Sequence, residues 1–225
     1  MKGKKILIVG GSSGIGLALA KKATERQADV IIASKNAKKN KNMLREKHSL
    51  ERCSFFSLDI TSEKEIKKFI KKIKKVDHIV STVKAPLTKS TGPFTKLSTA
   101  DTRQAFEVKL WGQYNLAKIG CKIIPAGGSI TFSSGTLGTH PYPAYSTLSI
   151  INGAVNSLCK ALALELAPIR VNTVSPGFMK LDKMEEKIPL GLGKHEQLAN
   201  SYMFFIEDEY TTGTNIVSDG GATLV

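Results

Sequence analysis

The sequence predicts an α/β fold in which a parallel sheet lies between two layers of helices. Short, β-branched apolar runs alternate with helical segments along all 225 residues. The runs are apolar throughout rather than at alternate positions, which is typical of strands buried on both faces. The first run also ends in spaced glycines and leads directly into a helical pattern. We therefore expect a doubly wound, Rossmann-type parallel sheet in a single domain that covers residues 1–225.

Each expected strand is a run of this kind, and the helices fill the intervals between strands. The strands are expected over residues 4–9, 29–34, 53–59, 76–82, 128–134, 170–174 and 215–218. Helical periodicity follows the glycine turn, the second strand and the third strand, and it recurs over about residues 98–123 and 145–166. A segment rich in Pro, Thr and Gly at 86–93 is expected to form a loop.

The turn after the first strand carries the clearest functional signal. It reads Gly-Gly-Ser-Ser-Gly-Ile-Gly over residues 10–16. A turn without side chains lets backbone N–H groups approach a pyrophosphate, and the N-terminus of the next helix adds the positive end of its dipole. The turn therefore predicts a dinucleotide site, with a tight turn that serves only close packing as the alternative.

The formal charge of +14 raises the question of a nucleic-acid partner. Much of the excess lies in two lysine-rich runs, at 35–47 and 67–75. In the second run Ile66, Phe69, Ile70 and Ile73 recur at helical spacing, so the lysines form the solvated face of an amphipathic helix. No zinc-finger spacing or RNA-binding aromatic signature accompanies the charge. We expect no specific nucleic-acid partner.

Other features indicate a cytoplasmic protein that does not enter a membrane. No apolar run approaches the roughly 20 residues that span a bilayer, and the chain enters its first strand without a signal-type segment. The cysteines Cys53, Cys121 and Cys159 are odd in number and far apart, which favours reduced thiols over a disulfide framework. The four histidines show no metal-ligand spacing, and no metal is expected.

Several motifs in chain order resemble those of the short-chain dehydrogenase/reductase family over nearly the whole chain. The glycine turn is similar to T-G-x-x-x-G-x-G, with Val9 in place of the threonine. Asp59 stands where the family's adenine-contacting aspartate follows the third strand. The later motifs are the R-V-N-x-x-x-P-G pattern at 170–177, T-G at 212–213 and D-G-G at 219–221.

The resemblance implies hydride transfer between a nicotinamide and a substrate carbon, with a tyrosine carrying the proton to or from oxygen. Tyr145 matches the catalytic tyrosine, and Ser134 matches the serine that hydrogen-bonds the substrate oxygen, with Ser133 as its substitute. A phenol of pKa about 10 needs nearby positive charge to act near neutrality. An aromatic residue that only packs and a strand-end hydroxyl that only satisfies backbone groups are the alternatives.

Two positions depart from the family pattern. Ser149 stands four residues after Tyr145, where the family has its catalytic lysine, and Lys109 stands where the family has its active-site asparagine in N-x-x-G. Lys109 lies in an apolar helix, and a buried lysine needs a partner. We hypothesise that its ammonium reaches toward Tyr145 and supplies the missing charge. The alternative is that Lys109 extends to solvent and the enzyme is weak or inactive.

The residues after the second strand favour NADP(H) over NAD(H). Ser34, Lys35 and Asn36 place no carboxylate there to repel a 2′-phosphate, and Lys35 can attract one. The alternative is that Lys35 belongs only to the basic surface. The family's N-N-A-G is altered to Ser81-Thr82-Val83-Lys84, and Lys84 is expected to face water. The expected cofactor contacts are Gly10, Ser12, Ser13, Gly14, Ile15, Gly16, Ser34, Lys35, Asn36, Asp59, Ile60, Thr82, Pro176 and Gly177.

The expected function is that of an NADP(H)-dependent oxidoreductase acting on a carbonyl or alcohol. By resemblance, residues 178–195 form a substrate lid, and their apolar residues indicate a small hydrophobic substrate. His140, Tyr142 and Trp111 are candidate pocket residues. The alternative is a nucleotide-binding sensor or scaffold that kept the fold and lost the chemistry. The resemblance also implies a homodimer or homotetramer formed through the helices that contain Trp111 and Leu158.

Overall fold

The sheet has seven parallel strands in the order β3-β2-β1-β4-β5-β6-β7. The computed structural model describes residues 1–48, 50–177 and 188–225. The strands are β1 (Lys5–Val9), β2 (Asp29–Ser34), β3 (Cys53–Ser57), β4 (His78–Ser81), β5 (Ser129–Ser133), β6 (Arg170–Pro176) and β7 (Asn215–Ser218). The predicted doubly wound parallel sheet is confirmed.

Helices cover both faces of this sheet. They are α1 (Gly14–Glu25), α2 (Lys41–His48), α3 (Glu63–Ile73), α4 (Leu87–Ser90), α5 (Thr99–Phe106), α6 (Gly112–Gly120), α7 (Ser146–Glu165) and α8 (His195–Glu207). Short 3-10 helices lie at Phe94–Lys96, Cys121–Ile123, Thr136–Gly138 and Ala222–Leu224. The segment expected to be a loop at 86–93 therefore contains one short helix.

The long helix expected over about residues 98–123 is present but is not regular. A π-helical turn at Glu107–Trp111 joins α5 to α6. The side chain of Gln113 inserts beside this turn: its Nε2 donates to Lys109 O at 2.7 Å and to Ser133 O at 3.1 Å. A side chain that competes for main-chain carbonyls widens a helix locally, and π-turns are frequent at functional sites. Lys109 lies in this widened turn.

Two hydrophobic clusters fill the space between the sheet and its helices. Successive strand residues point to opposite faces; Leu7 and Val9 thus belong to one cluster, Ile6 and Ile8 to the other. The first cluster takes in residues of α3, α6 and α7, and the second takes in residues of α1 and α8. The described cysteines are free thiols, as expected.

Helix α7 is the one described helix that is long and apolar enough to cross a membrane by length and composition. Its inner side is part of the core, where Ile151, Val155 and Cys159 are buried. Buried core helices share this length and composition with membrane-spanning helices, so the pattern is weak evidence for a membrane span.

The order of the strands fixes where a ligand can bind. β1 pairs with β2 on one side and with β4 on the other. The strands up to β3 are therefore added on one side of β1, and the strands from β4 onward on the other side. At such a switch point the connecting loops part and leave a crevice at the carboxyl ends of the strands. Gly10, Lys35, Thr82, Ser134 and Gly177 all follow strand ends at this edge.

Candidate functional site

The glycine turn is built by close approach of three chain segments. A Cβ atom on Gly10 would lie 2.7 Å from Thr82 Oγ1, and one on Gly16 would overlap Thr82 Oγ1 and Gly10 O. Gly10 and Gly14 also have positive φ values of 92° and 54°. The N-cap of α1 is Ser13, whose side chain makes no capping hydrogen bond. The turn can therefore hold an anion on backbone N–H groups at the start of α1.

The next group of polar side chains follows β2 and β3. Ser12 and Ser34 are joined by an Oγ–Oγ hydrogen bond of 2.8 Å. Lys35 Nζ lies 3.1 Å from Asp59 Oδ2. Burial alone would raise the pKa of Asp59, but hydrogen bonds from Thr61 and the Lys35 ammonium outweigh it and lower that pKa. Two hydroxyls and one cation thus lie together at the ends of β2 and β3, beside the glycine turn.

Three further predicted cofactor residues lie around this group. Asn36 is exposed next to Lys35. Ile15 is half-buried in the first turn of α1. Ile60 is buried against α6, because a Cβ on Gly112 would lie 2.8 Å from Ile60 Cγ1. Ile60 therefore packs against α6, and its contact with a cofactor stays a prediction.

Lys109 is a buried lysine with two hydrogen-bond acceptors. Its side chain is 7% exposed. Nζ donates to Ser134 O at 2.8 Å and to Asn152 Oδ1 at 2.7 Å. Removal from water lowers the pKa of Lys109 to about 8. An ammonium has three N–H donors, and the third has no hydrogen-bond partner among the described residues. The predictions that Lys109 is buried and has a polar partner are confirmed.

Ser134, whose carbonyl oxygen accepts from Lys109, also contacts Asn152. Its Oγ donates to Asn152 O at 3.0 Å, and its N–H donates to Val174 O at 2.8 Å. The strand ladder therefore fixes the main chain of Ser134 beside the ammonium. Donation from Ser134 to a substrate oxygen requires the hydroxyl to turn away from Asn152 O.

The hydroxyl of Ser133 forms its hydrogen bond with a core residue and not with Lys109 or Asn152. Its Oγ shares a short hydrogen bond with the hydroxyl of Tyr202, which is fully buried under the sheet. Burial raises the pKa of Tyr202 well above that of a free phenol, so its hydroxyl stays protonated. This pair belongs to the core, and the geometry favours Ser134 over Ser133 as the residue that faces the crevice.

Tyr145 is the N-cap residue of α7 and is half-buried. Its carbonyl oxygen accepts from both the N–H and the hydroxyl of Ser149. Asn152 follows Tyr145 by seven residues, which is two helical turns and the same face of α7. The ammonium of Lys109 is thus bonded about two turns along α7 from Tyr145, at Asn152. Ser149, the position of the expected lysine, bonds within its own helix instead.

The remaining candidate pocket residues lie apart from the ammonium. Trp111 is 46% exposed and stacks edge-on against Tyr114. His140 is exposed and bonds to Thr139, and Tyr142 donates to Ala222 O near the end of the chain. Lys84 is exposed, as expected.

A cavity of about 150 Å³ opens at the ends of β6 and β7. Its lining includes Gly177, Leu190, Gln197 and Asp219. Gly177 allows close packing here, since its Cβ would lie 2.6 Å from Asp219 Cβ. Pro176, the last residue of β6, leads into this cavity. Of the expected lid, Met179, Leu181 and Met184 lie outside the described residues, while Ile188 is buried and Leu190 is 85% exposed.

Two residues in this region escaped sequence reasoning. Asn152 is absent from the sequence prediction because the family pattern points to the position four residues after Tyr145; its seven-residue spacing from Tyr145 places it on the same helix face. His195 was considered only as the end of the lid, yet its Nε2 lies 3.5 Å from where a Cβ on Gly14 would stand. Among the described residues, no group of three or more His, Cys, Asp or Glu side chains could hold a metal ion.

Known proteins share both this sequence pattern and this fold. A family model described as enoyl-(acyl carrier protein) reductase matches residues 9–223. The chain is 34% identical to a short-chain dehydrogenase/reductase of Stachybotrys chlorohalonatus over 100% of this chain and 98% of that protein. It is 29% identical to a 3-oxoacyl-(acyl-carrier-protein) reductase of Rickettsia felis over 100% of this chain and 99% of that protein.

Two of the solved structures that share this fold are described with NADPH or NADP bound. A small-chain dehydrogenase in complex with NADPH matches with a TM-score of 0.85 at 30% identity, over 100% of both chains. A second structure, described as ElxO with NADP bound, matches with a TM-score of 0.85 at 27% identity over 98% of each chain.

Proposed function

Because the chain belongs to the short-chain dehydrogenase/reductase family of oxidoreductases, we propose that it uses NADP(H) to interconvert a carbonyl and an alcohol on a small, hydrophobic substrate. One observation carries the proposal: the buried ammonium of Lys109 is bonded to the main chain of Ser134 at the carboxyl end of β5. A desolvated cation beside a hydroxyl can stabilise negative charge that develops on a substrate oxygen.

The residues at the switch point fit a phosphorylated dinucleotide. The glycine turn packs against Thr82 with no room for a Cβ at Gly10 or Gly16. It ends at the N-terminus of α1, where backbone N–H groups can bind a pyrophosphate. Ser12, Ser34 and Lys35 offer donors to a 2′-phosphate. Asp59 neutralises Lys35 in the present arrangement, and a phosphate would compete for that ammonium. When bound, the dinucleotide supplies or accepts the hydride.

The chain's own residues then bind the substrate oxygen, transfer its proton and stabilise its negative charge. Ser134 donates a hydrogen bond to the oxygen once its hydroxyl leaves Asn152 O. Tyr145 acts as the proton donor in reduction and the acceptor in oxidation. Lys109 provides the positive charge that favours the oxyanion over the free carbonyl. In this scheme the charge acts from beside Ser134 rather than from the helix turn after Tyr145.

The substrate is proposed to be small and apolar. Leu190 and Leu198 give the cavity near Gly177 an apolar part, and Gln197 and Asp219 give it a polar part. Since the matching family model and one named relative are both described as acyl-carrier-protein reductases, a short 3-oxoacyl thioester belongs in the first substrate panel beside simple ketones and aldehydes. We also propose that the protein works in the cytoplasm.

The test is a carbonyl screen that follows the absorbance of NADPH. We expect turnover in the wild type, a loss of about 100-fold or more in Tyr145→Phe, and a loss of similar size in Lys109→Met. Ser149→Ala is the matched control, because Ser149 bonds only within its own helix in the described structure. Tight NADPH binding without turnover that depends on Tyr145 would instead support a nucleotide-binding sensor.

Cofactor choice is tested by titrating NADPH and NADH against the wild type and Lys35→Ala. We expect the wild type to prefer NADPH and the variant to lose affinity for NADPH about 10-fold while its affinity for NADH changes little. Lys38→Ala, in the same exposed run, is the matched control. Equal affinities for the two cofactors in the wild type would show that Lys35 belongs only to the basic surface.

A further inference from the structure

Asn152 is the side chain that meets the buried ammonium of Lys109. Its Oδ1 accepts from Lys109 Nζ at 2.7 Å, and its main-chain oxygen accepts from Ser134 Oγ at 3.0 Å. Asn152 is itself 2% exposed. One residue of α7 therefore contacts both polar groups that the proposed reaction uses at the end of β5.

The two acceptors of the ammonium differ in kind. Ser134 O belongs to the end of β5, and the Ser134 N–H is tied into the ladder with β6, so this acceptor is part of the sheet. Asn152 Oδ1 is the side-chain acceptor, and its position depends on how α7 packs. A buried ammonium that lost this acceptor would keep its charge at a higher free-energy cost.

Two glycines hold Asn152 against this site. A Cβ on Gly135 would lie 2.7 Å from Asn152 Nδ2, and a Cβ on Gly138 would lie 3.0 Å from both the carbonyl carbon and the Cβ of Asn152. The segment after β5 thus packs closely against both the side chain and the main chain of Asn152. The amide has little freedom to leave the ammonium.

We propose that Asn152 is a positioning residue whose amide oxygen holds the Lys109 ammonium beside Ser134. We also propose that the pair works in either order, with the lysine in the turn at Glu107–Trp111 or in α7. An extended lysine side chain is longer than an asparagine side chain by about the length of one hydrogen bond. Exchanging the two residues therefore leaves the ammonium near the same point. The catalytic consequence rests on the proposed function, whereas the contact itself does not.

The contact is tested without turnover by following Lys109 with lysine ¹³Cε NMR over a pH titration, its resonance assigned by its loss in Lys109→Met. Asn152→Leu removes an acceptor from the charged form, so we expect it to lower the pKa of Lys109 by about 1. Asn152→Asp adds an opposite charge at nearly the same size and should raise that pKa by about 1 or more. Asn156→Leu, one turn further along α7, is the matched control and should leave the Lys109 titration in place.

Leu and Asp are close to Asn in size. If the pKa of Lys109 shifts in opposite directions in these two variants, Asn152 acts on the ammonium and does not only fill space. If both variants titrate like the wild type, Asn152 only fills space and the proposal is wrong. This readout needs folded protein but no substrate, so it stands even if no carbonyl is reduced and the proposed function fails.

The exchange is tested by turnover. We expect Lys109→Asn to lose about 100-fold in kcat/KM, and the double variant Lys109→Asn with Asn152→Lys to recover to within about 10-fold of the wild type. The control is Lys109→Asn with Asn156→Lys, which places the cation on α7 one turn beyond Asn152 and should not recover. Recovery in the control, or its absence in a folded exchange variant, would overturn the exchange.

Discussion

At the scale of single residues, the dominant feature is a lysine removed from water with only neutral acceptors. Lys109 bonds to a carbonyl oxygen and an amide oxygen, and no carboxylate is among its described hydrogen-bond or ion-pair partners. Neither of these partners carries an opposite charge that would cancel the charge of the ammonium. The same arrangement costs stability, because the unfolded chain exposes this ammonium to water.

This cost makes stability depend on pH in a direction that can be worked out. Burial lowers the pKa of Lys109 from 10.5 to about 8 in the folded state. Between those values the unfolded chain binds more protons than the folded one, so the free energy of unfolding rises with pH in this window. Below pH 8 the full cost of the buried charge is present.

We expect the difference in unfolding free energy between the wild type and Lys109→Met to shift in favour of the wild type by about 1.5 kcal/mol from pH 8 to pH 9.5. Urea unfolding of both proteins at each pH measures it, and contributions from all other titrating groups largely cancel in the difference. A difference that stays flat over this range would contradict the burial of a charged Lys109.

The sequence predicted much at this scale, but not the partner. An apolar helix around Lys109 predicted burial, and burial predicted a polar partner. The identity of that partner depends on how α7 crosses the end of β5, which neither periodicity nor spacing encodes. The family pattern directed attention to Ser149, whereas the packing brought Asn152 to the ammonium.

At the scale of elements, the site depends on how closely α7 approaches the turn at Thr136–Gly138. A Cβ on Gly138 would lie 3.0 Å from main-chain atoms of Asn152 and Gly153. Backbone atoms of a helix cannot move aside as a flexible side chain can. The glycine therefore sets the distance between this turn and α7, and so the position of Asn152.

We expect Gly138→Ala to lower the free energy of unfolding by about 1–3 kcal/mol, because the added methyl forces α7 away. It should also disturb the Lys109 titration, since Asn152 moves with the helix. The matched control is Gly153→Ala, whose Cβ would meet only Gly138 O, at 3.8 Å. Inside a helix that change should be neutral or stabilising by up to about 1 kcal/mol. Thermal unfolding of the two variants compares them, and equal stabilities would contradict the close approach.

Element boundaries were predictable where apolar runs are bounded by glycine or charge. The strands at 29–34 and 215–218 have the expected limits, while β3 ends at Ser57 instead of residue 59 and β4 covers His78–Ser81 instead of residues 76–82. The π-turn at Glu107–Trp111 was not predictable. It depends on Gln113 reaching a carbonyl at the end of β5, a contact between elements distant in sequence.

At the scale of the whole molecule, the outer surface of the helices beside the site is unusually apolar. Trp111 is 46% exposed, Ile150 is 55% exposed and Leu164 is 83% exposed. The last two lie on α7, whose inner side is buried in the core, so the helix is apolar on both sides. Single exposed apolar residues are ordinary, but such residues on neighbouring helices are typical of a surface that meets another protein.

We propose that this surface joins copies of the chain into a homodimer or homotetramer, in line with the family resemblance. Light scattering after size exclusion should then give a mass of two or four times the 24.4 kDa chain. A charge buried at such an interface costs several kcal/mol, so Leu164→Glu combined with Trp111→Glu should shift the protein to monomers at micromolar concentration. Tyr210→Glu is the control, because Tyr210 is 97% exposed and belongs to neither helix but to the loop between α8 and β7. A monomeric wild type would contradict the assembly and would leave the apolar outer face of α7 to be tested for binding to lipid vesicles.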